Sequence, residues 1–224
     1  MTNKNLSSLS LKKSYKKQNL YYKQAYKKKD AQWSGDGSPN PMFVREIGRL
    51  KKQLEDKTAL DLGSGEGRHS IYLNRQRFKV IGIEYQEQAL KNAAGKGNKG
   101  LLYVRGDIYR IPLKPASFGL VIDSGVFHHI RRGDTEPYLK LLESLLVPGG
   151  CLLLSCFSTD FRHGDGKVYK RGFVVHKNHY DRFSTIPEMR RLFGGRFDVV
   201  TIKKAKGGFI NACFRLKERS LKSR

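Results

Sequence analysis

Long apolar runs are missing from this 224-residue chain. None approaches the ~20 consecutive apolar residues that a membrane-spanning helix needs, so no membrane partner is expected. Cysteine is scarce as well. Cys151, Cys156 and Cys213 all sit inside apolar, strand-like runs. An odd number without a C-x-x-C pair argues against both a disulfide framework and a zinc site, so buried, reduced thiols and no metal are expected. Acidic residues are depleted at both ends. Residues 1–30 carry nine lysines against Asp30 alone, and residues 203–224 carry eight Lys or Arg against Glu218. The formal charge of +24 is thus concentrated at the termini beyond their share of the length. Such a field draws nucleic acid, ribosomes or other anionic surfaces, although a solvated face with a loose terminal arm has the same composition. The N-terminus also lacks the apolar stretch of a signal peptide. Its first 29 residues, acid-free and with several serines, are close in composition to an organelle transit segment, but with lysine where arginine is usual. A cytoplasmic protein is the simpler expectation.

The length suits one α/β domain with a full core. Residues 1–13 read as a disordered basic arm, 14–216 as a single domain and 217–224 as a basic tail. Tyr15, Tyr22 and Tyr26, at spacings of seven and four, place an aromatic stripe on one face of a helix over 14–30. Two glycines and two prolines make 34–41 a loop, and Pro41 opens a second helix reaching to 54. Strands are predicted at Ala59–Leu62, Lys79–Ile83, Leu101–Arg105, Leu120–Asp123 and Cys151–Cys156, with helices at 67–76, 86–94 and 134–147 between most of them. That alternation predicts a doubly wound, mostly parallel sheet. The last two strands, Phe197–Lys203 and Phe209–Leu216, are joined by a short Lys/Gly-rich link, so the final one is expected to run antiparallel.

Chemistry concentrates at the ends of these strands. Thr58-Ala-Leu-Asp61-Leu-Gly63-Ser64-Gly65-Glu66-Gly67 is an apolar run entering a turn with glycine at alternate positions. There the backbone passes close to a ligand without side chains in the way, and the following helix start presents N–H groups. A dinucleotide fingerprint would put its third glycine at position 68, where Arg68 stands instead. Glu84 ends the second strand, Asp107 follows the third and Asp123 ends the fourth. Carboxyl ends of neighbouring parallel strands converge on one crevice, so these acids and Asp61 are expected to point into it.

In this order the residues resemble the successive motifs of class I S-adenosylmethionine-dependent methyltransferases, down to the Pro148-Gly149-Gly150-Cys151 turn before the fifth strand. The resemblance covers about residues 15–216. It implies a seven-stranded Rossmann-like sheet and S-adenosylmethionine as cofactor. It also implies a binding set of Asp61, Gly63, Ser64, Gly65 and Glu84, extended by Tyr85, Gly106, Asp107, Ile108 and Asp123. Glu84 would accept the ribose hydroxyls, Asp107 the adenine amino group, and Ile108 would cover the adenine face. Tyr22, Tyr26, Trp33 and the Gly37-Ser38-Pro39-Asn40-Pro41 loop are similar to the N-terminal flap of thiopurine-type and other small-molecule methyltransferases. In that likeness Trp33 and Tyr22 close over the sulfonium, although Trp33 as a plain staple between helix and core remains open. His128 and His129, after the fourth strand, are the candidate bases. Residues 158–183 are the candidate acceptor-side lid. The leading expectation is methyl transfer to O, N or S of a small molecule. An RNA- or ribosome-directed methyltransferase recruited by the basic ends stays open, as does a cofactor-binding protein without transfer activity. The fourth-strand segment lacks the Asp/Asn-Pro-Pro-aromatic pattern that grips an exocyclic base amine, and no Cys follows a Pro near the site.

Overall fold

The computed structural model describes residues 13–28, 36–96, 99–162, 173–176 and 179–218. Helix α1 (Lys13–Lys27) and helix α2 (Pro41–Leu50) precede the sheet. Then come β1 (Thr58–Leu62), α3 (Arg68–Arg75), β2 (Lys79–Glu84), α4 (Glu87–Ala93), β3 (Leu101–Arg105), β4 (Phe118–Ser124), α5 (Thr135–Leu145) and β5 (Leu146–Phe157). The hairpin β6 (Phe173–His176) and β7 (His179–Arg182) leads to α6 (Ile186–Phe193), β8 (Phe197–Ala205) and β9 (Phe209–Leu216). The main sheet has seven strands in the order β3-β2-β1-β4-β5-β9-β8. Strands β1 to β5 pair in parallel, whereas β9 runs antiparallel to both β5 and β8. The predicted sheet and its antiparallel end are therefore present.

Period-two alternation divides the strands between two apolar layers. Leu60, Leu62, Val121, Leu152 and Leu154 join Tyr138, Leu139 and Leu142 of α5 and Met189 and Phe193 of α6. Ala59, Leu120, Ile122, Cys151 and Leu153 join Phe43, Ile47 and Leu50 of α2 and Leu73 of α3 on the opposite face. Residues inside parallel strands are buried from both sides, which is why these segments read as continuous apolar runs. The three cysteines are free and buried.

Local signals set the helix ends. Asn40 accepts the Met42 N–H at 2.9 Å, and Pro41 occupies the first turn of α2, where its missing N–H costs nothing. The helix stops at Leu50 rather than at 54, where the predicted segment ended. Helix α5 likewise gives way to β5 at Leu146, two residues short of expectation. Two elements are additional to the predicted set: the β6–β7 hairpin and α6. The latter carries its own start signal, Thr185 Oγ1 accepting the Glu188 N–H, with Pro187 in the first turn. Of the expected basic arm 1–13 and tail 217–224, residues 1–12 and 219–224 lie outside the described residues, while Lys13 opens α1 and Lys217 Nζ donates to the Gly194 carbonyl at 2.7 Å.

Phe193 anchors α6. Its ring stacks on Phe214 of β9 with centroids 4.5 Å apart and is fully buried. Phe193→Ala is expected to lower the unfolding free energy by about 3–5 kcal/mol. Urea denaturation followed by circular dichroism measures this, and an unchanged midpoint would mean that α6 contributes no packing.

Candidate active site

A cavity of 2230 Å³ opens at the carboxyl ends of β1, β2 and β4 and is roofed by α1. Tyr15, Gln18, Asn19, Tyr22 and Tyr26 line it from that helix, so the aromatic stripe faces inward. Three hydrogen-bonded contacts hold the roof down. Tyr15 Oη donates to Asp134 Oδ2 at 2.8 Å and accepts the Arg131 N–H at 3.1 Å. Gln86 Nε2 donates to the backbone carbonyl of Asn19 at 3.0 Å and also to its side-chain oxygen. The Tyr22 hydroxyl meets His129 Nε2 at 2.5 Å.

The floor is the glycine turn after β1. Gly63, Gly65 and Gly67 all have positive φ (62°, 55° and 84°), which only glycine adopts without strain. Their surroundings differ. A Cβ on Gly67 would lie 2.0 Å from Tyr103 Oη, so that glycine serves packing. Gly63 and Gly65 line the cavity. Ser64 contributes its backbone there and turns its hydroxyl inward, 3.0 Å from where a Cβ on Gly82 would stand. Glu84, at the end of β2, ties this turn to the next loop. Its Oε2 accepts the Gly65 N–H at 2.9 Å and its Oε1 the Gln86 N–H at 2.7 Å. Burial raises the Glu84 pKa, and the two N–H bonds oppose that rise by stabilising the carboxylate. Each oxygen keeps capacity for a further donor. Tyr85, Gly106, Asp107 and Ile108 continue the same wall. Asp107 Oδ1 takes the Tyr109 N–H at 3.0 Å, which shapes the loop after β3.

Two of the expected ligands face elsewhere. Alternation along β1 turns Asp61 to the α3 side of the sheet, where Ser70 Oγ donates to its Oδ2 at 2.6 Å. Asp123 turns to the α5 side. Its Oδ1 gathers the N–H groups of Gly125, Val126 and Phe127 at 3.2, 2.7 and 3.2 Å, and Tyr138 Oη donates to its Oδ2. Neither side chain lines the cavity. A strand end points its last side chain by parity, and convergence of the strands does not change that parity. Trp33 lies outside the described residues, as do 163–172 and 177–178 of the predicted lid.

Both histidines reach the cavity through the 3₁₀ turn Phe127–His129 that Asp123 caps. His128 is buried and stacked on Phe157, centroids 3.8 Å apart and planes 16° from parallel. His129 bridges two elements. Its Nδ1 lies 3.0 Å from the Tyr180 carbonyl and 3.2 Å from Asp181 Oδ1, both on β7, while its Nε2 faces Tyr22. The donor atoms of His128, His129 and Asp181 fall within 4.8 Å of one another, a spacing a metal ion could bridge. Both ring nitrogens of His129, however, are engaged by protein partners. Sequence reasoning missed Asp181. Nothing in the run Tyr180-Asp181-Arg182 distinguishes a buried acid from a surface one, and only the hairpin places it against His129.

A family model described as a methyltransferase domain matches residues 60–154, from β1 to β5. The chain carries a methyltransferase domain. An uncharacterized methyltransferase of Schizosaccharomyces pombe is 29% identical to the enzyme over 120 residues, 52% of this chain and 79% of that protein. A tRNA U34 carboxymethyltransferase of Ruthia magnifica is 30% identical over 159 residues, 67% of this chain but 47% of its own length. Among solved structures, the enzyme is similar to the 1,6-didemethyltoxoflavin-N1-methyltransferase of Burkholderia thailandensis, determined with 1,6-didemethyltoxoflavin and S-adenosylhomocysteine. The TM-score is 0.72 at 20% identity, covering 89% of this chain and 87% of that one, a likeness of fold.

Asp61 gives the enzyme a pH signature. Burial is the main cause lifting its pKa from the ordinary 3.8 to about 7, against the Ser70 hydrogen bond and the Arg68 charge. Between those values the folded chain keeps a proton that the unfolded chain has released, so this group lowers stability as pH rises through that window. Asp61→Asn, a neutral isostere, is expected to remove that slope. Urea titrations of both proteins from about pH 4 to about pH 7 should show wild type losing stability relative to the variant, with no further divergence above it. A constant difference across the range would place the Asp61 pKa near its ordinary value.

Proposed function

We propose that the enzyme transfers a methyl group from S-adenosylmethionine to a heteroatom of a small molecule. The observation that carries this reading is the roof. Helix α1 is fastened at three places over a deep cavity whose floor is a bare glycine turn, which suits a small acceptor enclosed away from water. The solved relative named for an N1-methyl transfer to a heterocycle has the same fold and supports the same class of acceptor.

The residues present fit the cofactor. Gly63, Ser64 and Gly65 offer backbone at the end of β1, and a Cβ on Gly63 or Gly65 would crowd Val126 or Tyr26 of the cavity wall. Glu84 offers a carboxylate, preorganised by the Gly65 and Gln86 N–H groups, for the ribose hydroxyls. Asp107 and Ile108 would take the adenine. Asp61 and Asp123 serve by holding α3 and the turn after β4 rather than by contact. The cofactor, when bound, supplies a methyl carbon already activated by a sulfonium. The chain's own task is then to align the acceptor, exclude water and take up the proton the acceptor loses. The thiopurine-type likeness of the flap belongs to this proposal too.

A second reading has its own support. The outer face of α1 is exposed and carries Lys17, Lys23 and Lys27, with Lys28 following it, and one relative is named for a tRNA modification. An RNA substrate would use that face as an electrostatic contact.

Glu84→Ala is expected to weaken binding of S-adenosylhomocysteine by at least about tenfold, measured by calorimetry, since charge-assisted hydrogen bonds contribute roughly 1.5–3 kcal/mol. Unchanged affinity would remove Glu84 from the cofactor site. Acceptor class is decided by product formation from thiols, phenols and heterocycles beside total RNA. Methylation of RNA alone, with a steep loss as salt rises, would overturn the small-molecule reading.

A further inference from the structure

We infer that Tyr22, His129 and Asp181 form a proton relay that opens into the acceptor chamber, and that the acceptor therefore bears an ionisable O–H or N–H. The inference rests on the small-molecule reading above and names its acceptor chemistry. Three elements distant in sequence meet at this point: α1, the turn after β4 and the β6–β7 hairpin. His129 Nδ1 is hydrogen-bonded to the Tyr180 carbonyl at 3.0 Å and lies 3.2 Å from the Asp181 carboxylate. A backbone carbonyl can only accept, so the Tyr180 contact assigns the proton to Nδ1 and leaves Nε2 as a base, with the Asp181 carboxylate as the nearby negative charge. At Nε2 stands the Tyr22 hydroxyl, 2.5 Å away. Tyr22 and both histidine rings line the cavity, and Asp181 is 1% exposed at its edge. Burial, with the Asp181 charge as the next cause, raises the Tyr22 pKa well above the ordinary phenol value, so Tyr22 rests as the hydrogen-bond donor to the imidazole.

The relay balances as follows. The acceptor heteroatom forms a bond to the methyl carbon, whose bond to sulfur breaks with its electron pair left on sulfur. The acceptor's proton passes to Tyr22 Oη as the phenolic proton passes to His129 Nε2. The imidazolium so formed is stabilised by the Asp181 carboxylate and the Tyr180 carbonyl. Tyr22 is the group that touches the acceptor. Asp181 is a positioning residue that fixes the tautomer and offsets the charge. An acceptor that has no proton to lose, or that is already ionised, gains nothing from this arrangement.

The test uses Tyr22→Phe and Asp181→Asn in the full chain, with S-adenosylhomocysteine affinity as the control for an intact cofactor site. For a weakly acidic phenol or ring N–H, kcat is expected to fall about a hundredfold in Tyr22→Phe, with the KM for that acceptor nearly unchanged. The loss should shrink steadily as acceptors of lower pKa are used and vanish for a thiol ionised at the assay pH. An equal loss for every acceptor would overturn the relay and leave a structural role. So would activity that disappears with a chelator and returns with zinc, which would make His128, His129 and Asp181 a metal site. Nitrogen-15 NMR of the histidine rings reads the relay without turnover. Wild type should show His129 as the Nδ1–H tautomer, with its Nε2 resonance displaced in Tyr22→Phe. The opposite tautomer overturns the relay whether or not an acceptor has been found. Failure of the small-molecule reading shows separately, as absence of product from every small acceptor with wild type.

Discussion

The site depends on one buried carboxylate. Asp123 is inaccessible to solvent and uses both oxygens, one for three successive backbone N–H groups and one for the Tyr138 hydroxyl. A carboxylate in that position would be costly if it lacked partners, and burial does raise its pKa. With four donors it becomes a fixed point. The chain after β4 is gathered into a turn, and the turn projects His128 and His129 toward the cavity. Glu84 plays the corresponding part on the other side of β1, joining the glycine turn to the start of α4. Two acids at the ends of alternate strands thus organise the backbone on which the site is built.

Enclosure comes from a different kind of interaction. Helix α1 is polar along its length, and its cavity face is held by tyrosine, asparagine and glutamine hydrogen bonds rather than by aliphatic packing. Each such bond contributes about 0.5–1.5 kcal/mol net, which fastens the helix while leaving it free to release. A roof of that strength suits the exchange of acceptor and product that the proposed small-molecule reading requires. The sheet beneath is of the opposite kind. Its two apolar layers are continuous from β1 to β9, and the histidines rest on this rigid support through the Phe157 stack.

The hairpin β6–β7 ties these two regimes together. It brings Tyr180 and Asp181 against His129, and Arg182 beneath them lies over the Phe127 ring at 4.7 Å and bonds Thr135 and Glu188. The buried guanidinium fixes the hairpin to α5 and α6, so the group that orients His129 is itself held from behind.

The strand–helix alternation, the glycine turn and the strand-end acids were legible in the sequence because each rests on local chemistry: apolar periodicity, φ > 0 at Gly63 and Gly65, and the β9 return after a short link. Helix α6 had a readable start at Thr185-Ile-Pro-Glu188 but only eight residues, too short for its period to stand out. What the sequence could not express was direction. Asp61, Glu84 and Asp123 look alike as acids closing apolar runs, yet side-chain parity and the helix above each strand send Asp61 to Ser70, Asp123 to Tyr138 and only Glu84 to the cavity wall. Nor could it join Tyr22, His129 and Asp181, which are separated by 107 and 52 positions. Their meeting is decided by where the β6–β7 hairpin and α1 pack on the sheet. The sequence by itself determined the methyltransferase scaffold, because backbone hydrogen bonding and burial patterns are local. The tertiary structure alone decided which polar groups face one another, because that depends on contacts between segments that no local pattern encodes.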